Sequence, residues 1–359
     1  MKLITTMLAA ALAAPIAGAQ APEVKTAEQV YKNIQQLKGT PADQLNAAMQ
    51  FISVSLGVEC DACHVAGKFD ADDKNNKKTA REMMAMTAAI NKDSFHGRQQ
   101  ITCYTCHRGS LHPGAVPPVQ DSDTPAHAAA PATPPGAAVP DPTVDDIINK
   151  YLAAAGGADT MKSVTSRTMK GTLMAMGSET AIELYTKAPN KRVSIAHSSP
   201  TSDSYTAFDG AIGWLGTTGH AAREMSPTEV FAASLDADFY LVAHLKDLFP
   251  QLRRGRPAEV AGAMCETITG TKPGQLPVTF YFDQKTGLLA RMVRYADTPM
   301  GRMPTQIDYS DYREVDGVKS PWRWTLARAN GRFTIQLKEV KNNVPIDDAK
   351  FAKPEGDVK

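Results

Sequence analysis

The chain of 359 residues carries almost no net charge, with 39 lysines and arginines against 38 aspartates and glutamates. That balance excludes the strongly basic footprint with which a protein tracks nucleic-acid phosphates. Beyond the first twenty residues there is no apolar run long enough for a membrane helix. In the carboxy-terminal half His197, His220 and His244 are scattered, and no serine or carboxylate stands at the spacing of a hydrolytic triad or a metal site. Cysteine is scarce too, and four of the five cysteines are spent on two copies of one pattern.

What is present falls into four stretches. The opening "MKLITTMLAAALAAPIAGAQ" has a lysine, a short apolar run and the small residues Ala17, Gly18 and Ala19, which predicts a signal peptide over residues 1–19. The expected location is periplasmic or secreted, and no cysteine follows the cleavage site to take a lipid anchor. Residues 20–112 hold the cysteine motifs. Residues 113–142 contain nine of the 24 prolines among many alanines and read as an extended tether. His112 and His127, at its edge and within it, are expected to be solvent-exposed. Residues 143–359 form the remainder.

The motifs are "ECDACHVAG", with Cys60, Cys63 and His64, and "TCYTCHRG", with Cys103, Cys106 and His107. Three chemistries use paired thiols. Four thiolates can bind zinc, although the separation here is longer than in common zinc ribbons. A redox dithiol usually opens a helix after a strand, a context not visible here. A c-type haem takes two thiols on its vinyl groups and needs a histidine as the next residue to bind iron. The haem reading alone requires the histidine at that place, and the requirement is met twice. Two covalently attached c-type haems are therefore expected, with His64 and His107 as proximal ligands.

A helix is expected before each motif. "TPADQLNAAMQFISVSLG" predicts one with Thr40 as N-cap, Pro41 in the first turn and a stripe of Leu45, Met49, Ile52 and Leu56 ended by Gly57. "TAREMMAMTAAIN" predicts another with Thr79 and Glu82 as a capping box and Met83, Met86 and Ile90 on one face. A methionine on such a face is ordinary core filling in most proteins; its repetition before two haem motifs points to Met49 and Met83 as distal ligands. A thioether opposite histidine raises the reduction potential and leaves no open coordination position, which suits electron transfer. The shorter "TAEQVYKNIQQLKG" predicts a helix with Thr26 and Gln29 capping it and Val30, Ile34 and Leu37 inward. Lys74, Lys77, Lys78, Arg81, Lys92, Arg98 and Arg108 make a basic cluster that is either a solvated face or a docking surface.

"AREMMAMTAAIN" followed by "TCYTCHRG" resembles the haem-binding segments of the cytochrome c subunit of photosynthetic reaction centres, over about Thr26 to His112. The resemblance implies Met83 as the sixth ligand of the second haem, with Met49 a looser match for the first. Family members involved in photosynthesis carry four haems, and this chain has two motifs and a long added region. His96 lies near where those members place a ligand for a haem absent here, and reads as an exposed loop residue. The implied activity is single-electron transfer between redox partner proteins, with no catalytic residue. The alternatives are a haem-based sensor or peroxidase-like enzyme with one open haem site, and an apolar-ligand-binding module with an accessory cytochrome.

The fourth stretch opens with a helix, "TVDDIINKYLAAAGG", capped by Thr143 and closed by Gly156. After it the period becomes two: "TAIELYTK", "PVTFYFD", "LLARMVRY" and "FTIQLKEV" alternate as antiparallel strands with one wet face do. Turns are expected at Asp209-Gly210, Asp283 to Gly287 and Asp316-Gly317, with a helix around "SLDADFYLVAHLKDLF". The fold class expected is multidomain, a small all-α dihaem domain followed by an α+β antiparallel curved sheet or half-barrel. "FYFDQKTGLLARMVRY", "DYSDYREVDGVKSPWRWT" and "IDDAKFAKP" resemble the periplasmic lipoprotein-carrier superfamily, which implies an apolar ligand or peptide on a concave face. Trp214, Trp322 and Trp324 are expected in the core or lining that face, and Cys265 as a buried free thiol.

Overall fold

The computed structural model describes residues 25–113, 141–175, 177–199, 201–328 and 331–353. The expected signal peptide and almost all of the expected tether lie outside them. No helix among the described residues is long and apolar enough to cross a membrane.

The amino-terminal part is helical and the carboxy-terminal part is a large open antiparallel sheet. In the first part lie α1 (Ala27–Val30), α2 (Leu45–Leu56), α3 (Asn75–Phe95) and α4 (Cys103–His107). The predicted first helix stops after one turn. Tyr31 is extended, Asn33 has φ 59°, and residues 25–27 pair instead with 40–42 through Ala27 N–H to Thr40 O at 2.7 Å and Ala42 N–H to Lys25 O at 2.9 Å. Val30 is consequently 48% exposed rather than inward. α2 begins later than the Thr40 cap predicts, after a 3₁₀ turn over Ala42–Gln44, and ends at Gly57 in the left-handed conformation. α3 starts four residues before the predicted Thr79 cap, for a reason that belongs to the site.

The second part opens with α5 (Val144–Ala154), whose Thr143 cap accepts from the Asp146 N–H, and α6 (Ala158–Lys162). Six strands follow: β1 (Ser166–Ala175), β2 (Ser178–Lys187), β3 (Lys191–Ser199), β4 (Ser202–Phe208), β5 (Gly213–Thr217) and β6 (Arg223–Glu224). The predicted long helix is two pieces, α7 (Pro227–Ala237) and α8 (Leu245–Leu248), separated by turns. Then come β7 (Gln251–Arg254), β8 (Ala258–Val260), β9 (Ala263–Thr271), β10 (Val278–Asp283), β11 (Leu289–Thr298), β12 (Gly301–Val315), β13 (Val318–Arg328) and β14 (Gly331–Asn342). The spatial order is β6-β5-β4-β3-β2-β1-β14-β13-β12-β11-β10-β9-β7, with β8 beside β9. Every pairing is antiparallel, and β1 joins β14 to bring the chain's two meanders side by side. All four predicted strand segments and all three predicted turns occupy strands and hairpins of this sheet.

The main core lies between the sheet's concave side and the helices. Ile147, Ile148, Leu235 and Leu245 pack there against Phe280, Phe282 and Met292. Trp214 is buried in a separate cluster with Val193 and Phe351, and Trp322 and Trp324 flank the cluster around Leu184 and Leu337. Cys265 is fully buried and unpaired.

Candidate functional site

Each cysteine motif coils into one tight turn. Cys60–Ala62 is a 3₁₀ turn, and the His64 N–H donates to Cys60 O at 3.0 Å. Cys103 to His107 is α4, whose start is pinned by the Thr102 N–H donating to Thr105 Oγ1 at 3.0 Å. A turn of this pitch sets the two cysteines and the histidine along one side. Cys60 and Cys106 are exposed, and Cys63 and Cys103 are half-buried. Burial pushes the Cys63 and Cys103 thiols up from their ordinary value.

The two histidines are oriented in the same manner. His64 Nδ1 lies 2.9 Å from Phe69 O and His107 Nδ1 lies 3.0 Å from Ser110 O. A carbonyl only accepts, so Nδ1 carries the proton and Nε2 keeps its lone pair for a metal.

α3 braces both motifs, which explains its early start. Lys74 Nζ donates to Asp61 O, and Asn76 Nδ2 to Ala62 O at 3.2 Å. Lys77 donates to Phe69 O at 2.8 Å and Ala71 O at 2.7 Å and pairs with Asp72 at 3.2 Å. Arg81 meets the same carboxylate at 2.9 Å. Hydrogen bonds from Arg81, Asn33 and Lys77 hold the Asp72 carboxyl well below the usual carboxylate range. Lys74, Lys77 and Arg81 are thus committed to internal contacts, so for these three neither the solvated face nor the docking surface expected of the cluster holds. Lys78, Lys92, Arg98 and Arg108 remain exposed.

At its other end α3 supplies Asn91. Its Oδ1 accepts from the Gln100 and Ile101 N–H groups at 3.0 and 2.9 Å, and its Nδ2 donates to Ile101 O at 2.7 Å. Three bonds from one side chain fix the run into α4. The second motif is tied to α2 in turn, because the Gly109 N–H donates to buried Ser55 O at 2.9 Å. A Cβ on Gly57 would stand 2.1 Å from Gly109 O. Sequence reading missed Asn76, Lys77 and Asn91 as site residues because a helix surface of lysines and asparagines carries no signal of what its donors reach. His96 is the exposed left-handed cap of α3.

Met49 and Met83 are both half-buried, on α2 and α3. Met86 is 46% exposed. Met84, which the predicted stripe omits, packs with Cys103 against Ala48, Phe51 and Met300. The last of these comes from the turn between β11 and β12, so the sheet touches the second motif's surroundings.

The helical part buries few apolar residues of its own: Ala27, Ala48, Phe51 and Leu56. Val30, Tyr31, Phe69, Met86, Tyr104 and Leu111 are exposed. A unit this small needs a further source of burial to stay folded. Phe69 lies beside the His64 ring at 5.5 Å between centroids and Tyr104 is inside the second motif, so a large flat apolar group at each motif fits an exposed aromatic side chain there, and the two imidazole nitrogens fit its iron. A shared tetrathiolate site fits less well, since no three His, Cys, Asp or Glu side chains are gathered to hold a metal ion among the described residues.

The site thus consists of two Cys-x-x-Cys-His turns, each with its histidine Nδ1 on a backbone carbonyl, in a helical part followed by an antiparallel sheet part. Residues 2–151 match the family model "Photosynthetic reaction centre cytochrome C subunit". Curated relatives with that description include one from Thermochromatium tepidum, 35% identical over 91 residues, covering 24% of this chain and 22% of the relative. Another from Rubrivivax gelatinosus is 31% identical over 111 residues, covering 30% and 29%. The chain thus spans less than a third of the length of these relatives. Among solved structures, the sheet part is similar to a DUF1329 family protein from Desulfovibrio piger (14% identity, TM-score 0.42, 58% of this chain and 97% of that one). It is also similar to a LolA superfamily protein from Nitrosomonas europaea (12% identity, TM-score 0.41, 59% and 99%).

Proposed function

We propose that the protein is an exported dihaem c-type cytochrome that passes single electrons between protein partners. The observation that carries this reading is the matched pair of histidines, each spending Nδ1 on a backbone carbonyl directly after a Cys-x-x-Cys turn. Cys60 with Cys63, and Cys103 with Cys106, are the thioether attachments. His64 and His107 are the proximal ligands, and Met49 and Met83 the distal ones. A c-type haem held in this way supplies a one-electron iron couple.

The chain's own residues do the rest. The Phe69 and Ser110 carbonyls hold the imidazole rings in one tautomer, which keeps each Nε2 aimed away from the backbone. Asn91 and Ser55 keep the second motif from drifting, so little reorganisation accompanies a change of charge there. Residues 1–19 are assigned as a cleaved export signal, residues 20–112 as the haem domain and residues 113–142 as the connector to residues 143–359.

The test is the carbon monoxide difference spectrum of the reduced protein, matured in a host that attaches c-type haem, beside a haem count. Two haems and no carbon monoxide binding is the expected result. One haem, or ready binding at either iron in the wild-type protein, overturns the dihaem electron-carrier reading in favour of a sensor or enzyme. Met83→Ala should open one iron to carbon monoxide and lower its potential; an unchanged redox titration removes Met83 as a ligand.

A further inference from the structure

The concave side of the sheet encloses a cavity of about 620 Å³ between the strands and α7. Much of its wall is apolar, including Ile182, Leu326, Phe333 and Ile335. Its unusual feature is charge. Arg167, Arg192, Arg294, Arg328 and Lys319 all line it, against Glu229, Asp236 and Asp238.

The three carboxylates already have partners. Asp236 takes Arg294 in a two-pronged pair at 2.7 and 2.8 Å. Glu229 takes Arg223, which lies outside the cavity, at 2.8 Å through each oxygen. Asp238 accepts from the Tyr240 N–H at 2.8 Å and faces His244 Nδ1 at 2.9 Å. Arg167, Arg192 and Arg328 make no direct ion pair with a carboxylate among the described residues, although Asp236 attracts Arg192 and Arg328 from further off. Among the described residues the Arg167 side chain donates only to the Asn342 amide oxygen, at 2.8 Å, and it lies over the Phe239 ring. Arg192 donates to the backbone carbonyl of Asp236 at 2.9 Å and lies over Trp324. The Arg328 guanidinium makes no hydrogen bond or ion pair among the described residues, and neither does the Tyr309 hydroxyl, which also lines the cavity.

Loss of surrounding water pulls the guanidinium groups of Arg167 and Arg192 below their ordinary value. A guanidinium nevertheless stays protonated in a protein. Arg167 and Arg192 are half-buried and Arg328 is exposed, and the five cations lining the cavity outnumber its three carboxylates; an anion that enters balances this excess while forming forked, charge-assisted bonds to cations partly withdrawn from water. The apolar walls give a hydrocarbon chain the matching gain.

We infer that this cavity binds an anionic amphiphile, a hydrocarbon chain ending in a carboxylate or phosphate, with the head held by Arg192, Arg328 and Arg167. The inference concerns the sheet domain alone and stands or falls separately from the haem reading.

Calorimetric titration of the full, haem-loaded chain tests it, with four probes: dodecanoate, dodecyl phosphate, dodecanol and inorganic phosphate. The expected result is saturable binding of at least one of the two anionic amphiphiles, with dodecanol weaker by about 10-fold or more, the loss of one or two charge-assisted hydrogen bonds. Comparison of the first two probes then assigns the head as carboxylate or phosphate. Arg192→Met should weaken the preferred probe by about 10-fold or more, with Arg192→Lys in between. Arg328→Gln, which breaks no side-chain hydrogen bond or ion pair among the described residues, should weaken it with little change in the melting temperature. Dodecanol binding as tightly as the anions, inorganic phosphate binding as tightly as the amphiphiles, no binding by any probe, or full affinity in both the Arg192→Met and Arg328→Gln variants would overturn the assignment.

Discussion

Lys77 is the residue whose position says most about the first motif. It is 8% exposed, and its ammonium shares the Phe69 carbonyl with His64. A cation on that oxygen makes it a poorer acceptor for the imidazole N–H, and the charge itself disfavours an oxidised iron nearby. Ser110 O, the acceptor for His107, has no such cation on it among the described residues. On the proposed haem assignment, Lys77→Met should therefore lower the potential of the couple at Cys60–Cys63 by an amount on the order of tens of millivolts, leaving the other in place. Redox titration that resolves the two couples checks this, and a shift confined to the other couple contradicts it. Asp236 sets a pH dependence. Burial pushes its carboxyl up, but attraction to Arg294 and Arg192 outweighs this and holds it below its ordinary value. A carboxyl lowered by folding stabilises the native state fully above its unfolded pKa of about 3.9, and that contribution fades as pH falls towards the folded value. Acid unfolding of the sheet should accordingly begin below about pH 4 and move to less acid pH in Arg294→Met, as circular dichroism against pH will show.

At the scale of elements, α3 is a strut whose first turn holds one motif and whose last turn holds the other. Asn91→Ala removes three hydrogen bonds to the run entering α4, a loss of about 2–4 kcal/mol if each contributes roughly 1 kcal/mol. Urea unfolding followed through haem absorbance should report it. Gly57→Ala combines a left-handed backbone cost of about 1 kcal/mol with the clash against Gly109 O. It should impair attachment at the second motif, read as a haem-to-protein ratio below that of the parent. In the sheet, Phe280 is fully buried, and Phe280→Ala should cost about 3–5 kcal/mol by cavity formation while leaving haem spectra unchanged.

Across the whole molecule, the hairpin of β11 and β12 links the two parts. Its strands place Arg294, Ile307 and Tyr309 in the cavity wall, while its turn sets Met300 against Ala48 and Phe51. Gln99 Nε2 adds a hydrogen bond to Pro299 O at 3.0 Å. Gly301 lies against the Phe51 ring, where a Cβ would stand 2.4 Å from the nearest ring atom. Gly301→Val should force the hairpin off α2. The expected signature is a changed Soret circular dichroism band with the sheet's own melting little affected; an unaltered band would place the contact too far from the haem to matter.

The two Cys-x-x-Cys-His turns, the helix before each and the strands of the second part were legible in the residues, because each depends on local spacing. A Cys-x-x-Cys-His turn closes within five residues, and period-two alternation follows from the pleat itself. The ends of the helices were less so. Thr79 looks like a cap, yet α3 begins before it because Lys74, Asn76 and Lys77 find carbonyls of the first motif. "TAEQVYKNIQQLKG" has a helical stripe, yet its amino end pairs across to residues 40–42. In both places tertiary hydrogen bonds outweigh propensities of a few tenths of a kcal/mol per residue. Sequence by itself determined the spacing of the two Cys-x-x-Cys-His turns and which segments pleat. Only the tertiary structure decided that basic residues near the first motif serve it internally and that three arginines converge in one apolar cavity, because such meetings join residues far apart in the chain.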